Sequence, residues 1–223
     1  DLMDLTPDND QEGFRTAAAD WCREALAIDT ARQRPDDLWQ QMVAMGLTGI
    51  STPQAHGGMG LDFATEALVF AELGRYLAPI GLLSTAVGNR WFNGGFDHKL
   101  ALALPAAADS ELRVLDPAGS GAVLMAVPHE VRVFDIPDQF TNVLTKQSQM
   151  SAHQPTIDPT TSQSRQPWTT TSVSSNDPAA PLHLQLLTAA YAVGCADLAR
   201  DMAADYAKVR EQFGRPIGWF QAI

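Results

Sequence analysis

The sequence predicts an α+β fold, mainly α, and three observations carry that reading. Up to about residue 108, apolar residues recur at helical spacing between short Gly/Pro interruptions. From 109 to 180 the pattern changes to short β-type apolar runs and a Ser/Thr/Gln-rich stretch with few charges. From 181 to 223 one apolar stripe returns every three or four residues for about seven turns. These boundaries, 1–108, 109–180 and 181–223, are the expected domains.

In the first region, Gly13 to Thr30 is Ala-rich, with Phe14, Trp21, Leu26 and Ile28 on an apolar side. Pro35-Asp36-Asp37 opens a second helix, because Pro and carboxylates suit a first turn whose N–H groups carry positive partial charge. Its expected buried face is Leu38, Met42, Val43 and Met45, and Gly46 ends it. Pro53 to Gly60 holds three glycines and a proline and is read as loop. Asp62 is a candidate N-cap, followed by Phe63, Ala67, Phe70, Ala71 and Gly74 on one helical stripe. Pro79 starts a further helix toward Trp91, ended by Asn93-Gly94-Gly95.

In the middle, Ala122 to Val127 and Val131 to Ile136 read as two strands joined by a tight connection. The third region is a long helix with Leu184, Leu187, Tyr191, Gly194, Leu198, Met202, Tyr206 and Val209 in its stripe. Small residues around Gly194 let a second helix approach closely. A new helix is expected after Gly214-Arg215-Pro216.

Composition excludes several classes. The 223 residues carry Lys+Arg 15 against Asp+Glu 26, a net charge of −11, which opposes phosphate-tracking nucleic-acid binding and adhesion to anionic lipid. No uninterrupted apolar run approaches the ~20 residues of a membrane-spanning helix. Two cysteines, Cys22 and Cys195, are too few for a disulfide framework or a zinc site, so a cytoplasmic setting with buried, inert thiols is expected. The chain starts at Asp1 without Met, from which further residues at that end are expected.

Self-contained chemistry is not apparent. His56, His98, His129, His153 and His183 show no ligand spacing, so no metal site is predicted and surface or loop positions are expected for them. Gly57-Gly58-Met59-Gly60 lacks the Lys-Ser/Thr of a phosphate loop, and no Gly-x-Ser-x-Gly elbow occurs. One stretch stands out, Arg210-x-Gln212-Phe213-Gly214-x-x-Ile217-x-x-Phe220-Gln221. It sets a guanidinium, an amide and an aromatic beside a glycine at the end of a long helix. That set can grip a phosphate-bearing aromatic ligand, although on residue types alone a basic last turn with a core aromatic is the favoured reading.

As a whole pattern this stretch resembles the signature of the flavin-dependent acyl-CoA dehydrogenases. Leu38-Trp39, Met45-Gly46-Leu47, Pro53 to Gly60 and Glu72-Leu73-Gly74-Arg75 follow the order of that family's first domain, and Ile157 to Thr161 resembles a turn of its middle domain. The resemblance implies a helical N-terminal domain, a small β-barrel or sandwich, and a C-terminal helical bundle of which only the start lies here. It implies oxidation of an acyl-CoA between Cα and Cβ, a carboxylate taking the α-proton while hydride leaves for FAD, with electrons passed on to an electron-transfer flavoprotein. It also nominates Arg210, Gln212, Phe213 and Gln221 as contacts to the FAD of a neighbouring subunit.

Two departures bear on that reading. The middle region lacks the family's Thr-Glu-Pro-like stretch and following Trp segment; Leu104 to Ser110 stands where it would begin, and Trp168 comes much later. No base can be placed either. The early helix position used by a minority of the family falls at about Leu184, flanked by His183 and Gln185, and leucine accepts no proton. Some bacterial members, in lipid or steroid breakdown, pair two unlike subunits of which one supplies the base. The expected function is therefore an acyl-CoA dehydrogenase subunit in a homo- or hetero-oligomer, the alternative being an inactive partner or assembly subunit.

Overall fold

The computed structural model describes residues 6–105, 111–135, 160–167 and 171–220. Helix α1 (Asn9–Ala25) opens on a capping box: the Gln11 N–H donates to the Asp8 carboxylate at 2.8 Å, and the Asp8 N–H donates to Gln11 Oε1 at 3.1 Å. That cap starts the helix before the predicted Gly13. The Ile28–Thr30 end of the predicted helix is a separate 3-10 turn.

Helix α2 (Leu38–Ala44) is two turns long. Leu38 and Met42 are buried, whereas Val43 and Met45, expected in the core, are exposed. A helix this short presents one i, i+4 pair to its neighbour. Gly46 ends it at φ 74°, and Gly57 turns the following loop at φ 82°.

Helix α3 (Phe63–Arg75) is capped as predicted, the Thr65 N–H donating to Asp62 Oδ1 at 2.6 Å. Those bonds hold the Asp62 carboxyl below its usual range. Helix α4 (Gly81–Trp91) is buried along most of its length, and Asn93, Gly94 and Gly95 all take positive φ at its end. Its hydroxyls satisfy a neighbouring strand: Ser84 Oγ donates to the Leu100 carbonyl at 2.6 Å, and Thr85 Oγ1 accepts the Leu100 N–H at 2.9 Å.

That strand, β1 (Lys99–Pro105), lies inside the stretch read as helical. Its Leu-Ala-Leu-Ala-Leu alternation has the strand period, but alanines on one side hide the pattern. With β2 (Glu111–Leu115), β3 (Ser120–Val127), β4 (Glu130–Asp135), β5 (Gln163–Pro167) and β6 (Thr171–Ser175) it forms one mixed sheet in the order β5-β2-β1-β3-β4-β6. β1 and β3 run parallel and every other pair is antiparallel. β3 and β4 are the hairpin read from the sequence, Val127 facing Glu130. Alternation divides the sheet between two cores. Leu100, Leu102, Leu124 and Val133 pack toward the helices, while Ala101, Ala103, Leu112, Met125 and Phe134 form a second cluster. Trp168 lies outside the described residues.

Helix α5 (Ala179–Val209) crosses α3 with almost no separation. A Cβ added at Gly194 would sit 1.8 Å from the Ala71 carbonyl oxygen, and one at Gly74 would sit 2.0 Å from that of Tyr191. The small residues predicted to admit a helix do so here. Tyr191 Oη donates to the Ala78 carbonyl at 2.7 Å, and Arg75 pairs with Asp201. By length and composition alone α5 is apolar enough to cross a membrane, which a search for uninterrupted runs misses. It packs on α3 and α4, which buries Leu184, Leu187 and Gly194 but leaves Leu182, Leu186 and Val193 exposed.

Where a helix is expected after Pro216, the described residues form only a single 3-10 turn. The chain makes a two-residue hairpin, β7 (Glu211–Gln212) with β8 (Arg215–Pro216), and then a 3-10 turn at Ile217–Trp219. Phe213 at φ 53° and Gly214 at φ 75° supply the two left-handed residues that a tight hairpin needs. The Ile217 N–H donates to the Arg210 carbonyl at 2.8 Å and closes the fold-back.

Candidate functional site

The predicted cofactor residues gather on that hairpin. Arg210 caps α5 in an extended conformation, Gln212 lies on β7, and Phe213 occupies the tip with 94% of its surface exposed. Gln221 lies outside the described residues. The Phe213 ring meets Phe220 edge-on at 6.4 Å, and the Arg215 guanidinium lies 5.9 Å over the Trp219 ring. Among the described residues Arg210 makes no ion pair. The group is therefore a presented surface, a free guanidinium and amide beside aromatic rings, rather than an enclosed pocket. A bulky residue held at positive φ and in solvent is costly unless something else covers it.

A second feature lies at the other end of α5. Between the end of α4 and the β3, β4 and β6 strands runs a cleft of about 560 Å³, walled by Trp91, Phe92, Phe96, Val133 and Val173 and edged by Asn93, His98, Asp135 and Ser174. Behind Trp91 a polar pair is buried. His183 Nε2 and Glu66 Oε2 are 2.6 Å apart, with both side chains 1% exposed. Trp91 Nε1 donates to His183 Nδ1 at 3.1 Å. Phe63 covers the imidazole at 4.6 Å, and the Arg90 guanidinium lies 4.8 Å over the Trp91 ring.

His183 thus corrects the expectation of a surface or loop histidine. Sequence spacing could not reveal its partner, which is 117 residues away. A weaker signal existed on the other side: Glu66 falls between Phe63 and Phe70 on the apolar stripe of α3, where a carboxylate needs a buried donor. Leu184, at the position of an early base, is buried in the helical core, and Gln185 points to solvent. The Pro53–Gly60 loop is used internally. Gly57, Gly58, Met59 and Gly60 all donate their N–H groups to carbonyls of 49–54, leaving no cradle for a phosphate.

The helical face, the mixed sheet and the long following helix recur in solved structures. The ChsE4-ChsE5 complex from Mycobacterium tuberculosis superposes with a TM-score of 0.69 at 18% identity, covering 99% of this chain and 72% of that one. The steroid ACAD Tcur3481-Tcur3483 superposes at 0.63 and 21% identity, over 96% and 70%. At such identities the likeness concerns the fold. Sequence carries the assignment further: residues 8–94 match the family described as acyl-CoA dehydrogenase, N-terminal domain. Acyl-CoA dehydrogenase IpdE2 of Mycobacterium tuberculosis is 34% identical over 211 residues, 90% of this chain and 62% of that protein. Residues 8–94 are an acyl-CoA dehydrogenase N-terminal domain, and the chain as a whole is similar to acyl-CoA dehydrogenases. It spans about three fifths of the length of its curated relatives named IpdE2.

Proposed function

We propose that this chain is a subunit of an FAD-dependent acyl-CoA dehydrogenase and lends Arg210, Gln212, Phe213 and Gln221 to flavin held mainly by a neighbouring chain. The observation that carries this reading is the separation of the two features along α5. The helix has 31 residues, about 46 Å at the helical rise, with the aromatic cleft beside its first turns and the signature hairpin beyond its last. One small cofactor cannot touch both in a single chain, so a hairpin presented outward suits contact with another subunit.

The residues fit such a ligand by chemistry. Arg210 is an unpaired donor for pyrophosphate oxygens, Gln212 an amide for a neighbouring polar atom, and Phe213 a bare ring for packing. When bound, FAD supplies the two-electron oxidant that none of the described side chains provides. The electron-transfer flavoprotein is the proposed acceptor beyond it, and the cytoplasm the proposed setting. The substrate class is an acyl-CoA thioester. The description of one solved likeness as a steroid ACAD supports a lipid or steroid catabolic substrate.

A second reading draws support from Leu184. Its buried aliphatic side chain leaves no acid at the early helix position, which favours a partner that completes another subunit's site without supplying the base. Native mass spectrometry of the protein, purified with any co-purifying chain, tests these readings. Two unlike chains holding fewer FAD molecules than chains is the expected result. One kind of chain carrying FAD would favour a self-sufficient homo-oligomer, and no flavin in any assembly would end the dehydrogenase reading.

A further inference from the structure

We infer that Glu66 and His183 are positioning residues for Trp91, the indole that walls the cleft between α4 and the β4–β6 edge of the sheet. The identity of the occupant, the acyl part of a CoA thioester, rests on the reading above; the positioning itself does not.

The donor inventory decides the tautomer. An indole N–H only donates, so His183 Nδ1 must accept it at 3.1 Å and the imidazole proton resides on Nε2. That proton is donated to Glu66 Oε2 at 2.6 Å. Glu66 therefore selects the tautomer, and the tautomer selects the orientation of Trp91, as a buried carboxylate does for a histidine that must face a second group. Packing restricts the alternatives. Phe63 covers the imidazole and the Arg90 guanidinium covers the indole, so neither ring can turn without losing a face contact. Among the described residues Glu66 Oε1 has no hydrogen-bond partner although it is buried. A carboxylate half-satisfied in the core is expensive as scaffolding, since an apolar pair of the same size would pack there without that cost. Holding a cleft wall at a set angle gives the pair a purpose.

The test is 19F NMR of the assembled protein labelled with 5-fluorotryptophan, together with calorimetric titration of octanoyl-CoA. The Trp91 resonance is assigned by its loss in Trp91→Phe. His183→Leu is expected to shift that resonance and weaken octanoyl-CoA roughly tenfold, the scale of one lost hydrogen-bonded contact. His183→Gln, whose amide can both accept from the indole and donate to Glu66, is expected to restore both signals. If His183→Leu does not fold, Glu66→Leu combined with His183→Leu removes the orphaned charge and gives the same two readouts. A variant that melts earlier but leaves the resonance and the affinity unchanged overturns the positioning role. Should wild-type protein bind no octanoyl-CoA while the resonance responds as stated, the thioester occupant is wrong and the positioning role stands. The reverse result, tight octanoyl-CoA with an indifferent resonance, sinks the positioning role and spares the dehydrogenase reading.

Discussion

The two halves of α5 share one helix and one apolar stripe, yet they have opposite surroundings. In the first half His183, Leu184, Leu187 and Gly194 are buried against α3 and α4. In the second, Met202, Tyr206 and Val209 carry the same periodicity into solvent, Val209 with 75% of its surface exposed, and the hairpin beyond adds Phe213, Trp219 and Phe220. The stripe thus marks a face that needs burial and says nothing of what buries it. Among the described residues that stripe is covered in the first half, although Leu182, Leu186 and Val193 on its other side are exposed, and it lies largely open in the second.

Breaking the buried half carries the largest expected effect. His183→Leu alone leaves the buried Glu66 carboxylate without its donor, and removal of one partner of a buried pair costs about 3–5 kcal/mol. Urea denaturation should show that loss, and a loss below about 1 kcal/mol would mean that water reaches the pair. Next comes Gly194→Ala, which drives a methyl group to within 1.8 Å of the Ala71 carbonyl oxygen. Overpacking of this kind costs about 1–3 kcal/mol, and because α3 and α5 must separate, thermal melting should register it directly.

The Asp62 cap comes third. Asp62→Ala should cost about 1 kcal/mol at neutral pH. The carboxyl is held below its ordinary value in the folded chain by the Thr65 N–H. Its contribution is therefore present above the unfolded pKa of roughly 3.9 and is lost as pH falls through the lower folded value. The stability gap between wild type and Asp62→Ala should narrow only in acid below about pH 4, and a gap that closes at neutral pH would assign the effect to another group. The smallest effect is expected in the open half. Met202→Gln should change the stability of the isolated chain by no more than about 0.5 kcal/mol. A larger loss would show that this face is covered after all. Burial also pushes the Cys22 thiol up to about 12, so Ellman's reagent at pH 8 should leave it unmodified in the native chain.

Features decided by neighbouring residues were readable. Asp62 announces a helix start because its side chain reaches an N–H three residues on. Gly46 and Gly94 announce stops because few other residues adopt positive φ cheaply. The Ala122–Val127 and Val131 runs announce a hairpin because both faces of those strands are apolar. The reading failed where a partner was far away or a weak pattern competed. β1 hides as Lys-Leu-Ala-Leu-Ala-Leu because alanine serves helix and strand alike, and only pairing with β2 and β3 selects the strand. The Glu211–Pro216 hairpin went unread because Phe213, a residue rarely placed at positive φ, makes the reversal together with Gly214. Arg210, Gln212 and Phe213 are nominated for the proposed site by a family pattern; their residue types alone favour a basic last turn with a core aromatic.

Local patterning settles that this chain is mainly helical with a β-rich centre, since amphipathic period, caps and glycine stops act within a few residues. The family signature likewise needs only residues adjacent in sequence. The parallel β1–β3 pairing, the glycine-to-carbonyl crossing of α3 over α5 and the Glu66–His183–Trp91 relay were decided in space. Each depends on which distant backbone or donor fills a given volume, and desolvation rewards that match only after the chain has brought the groups together.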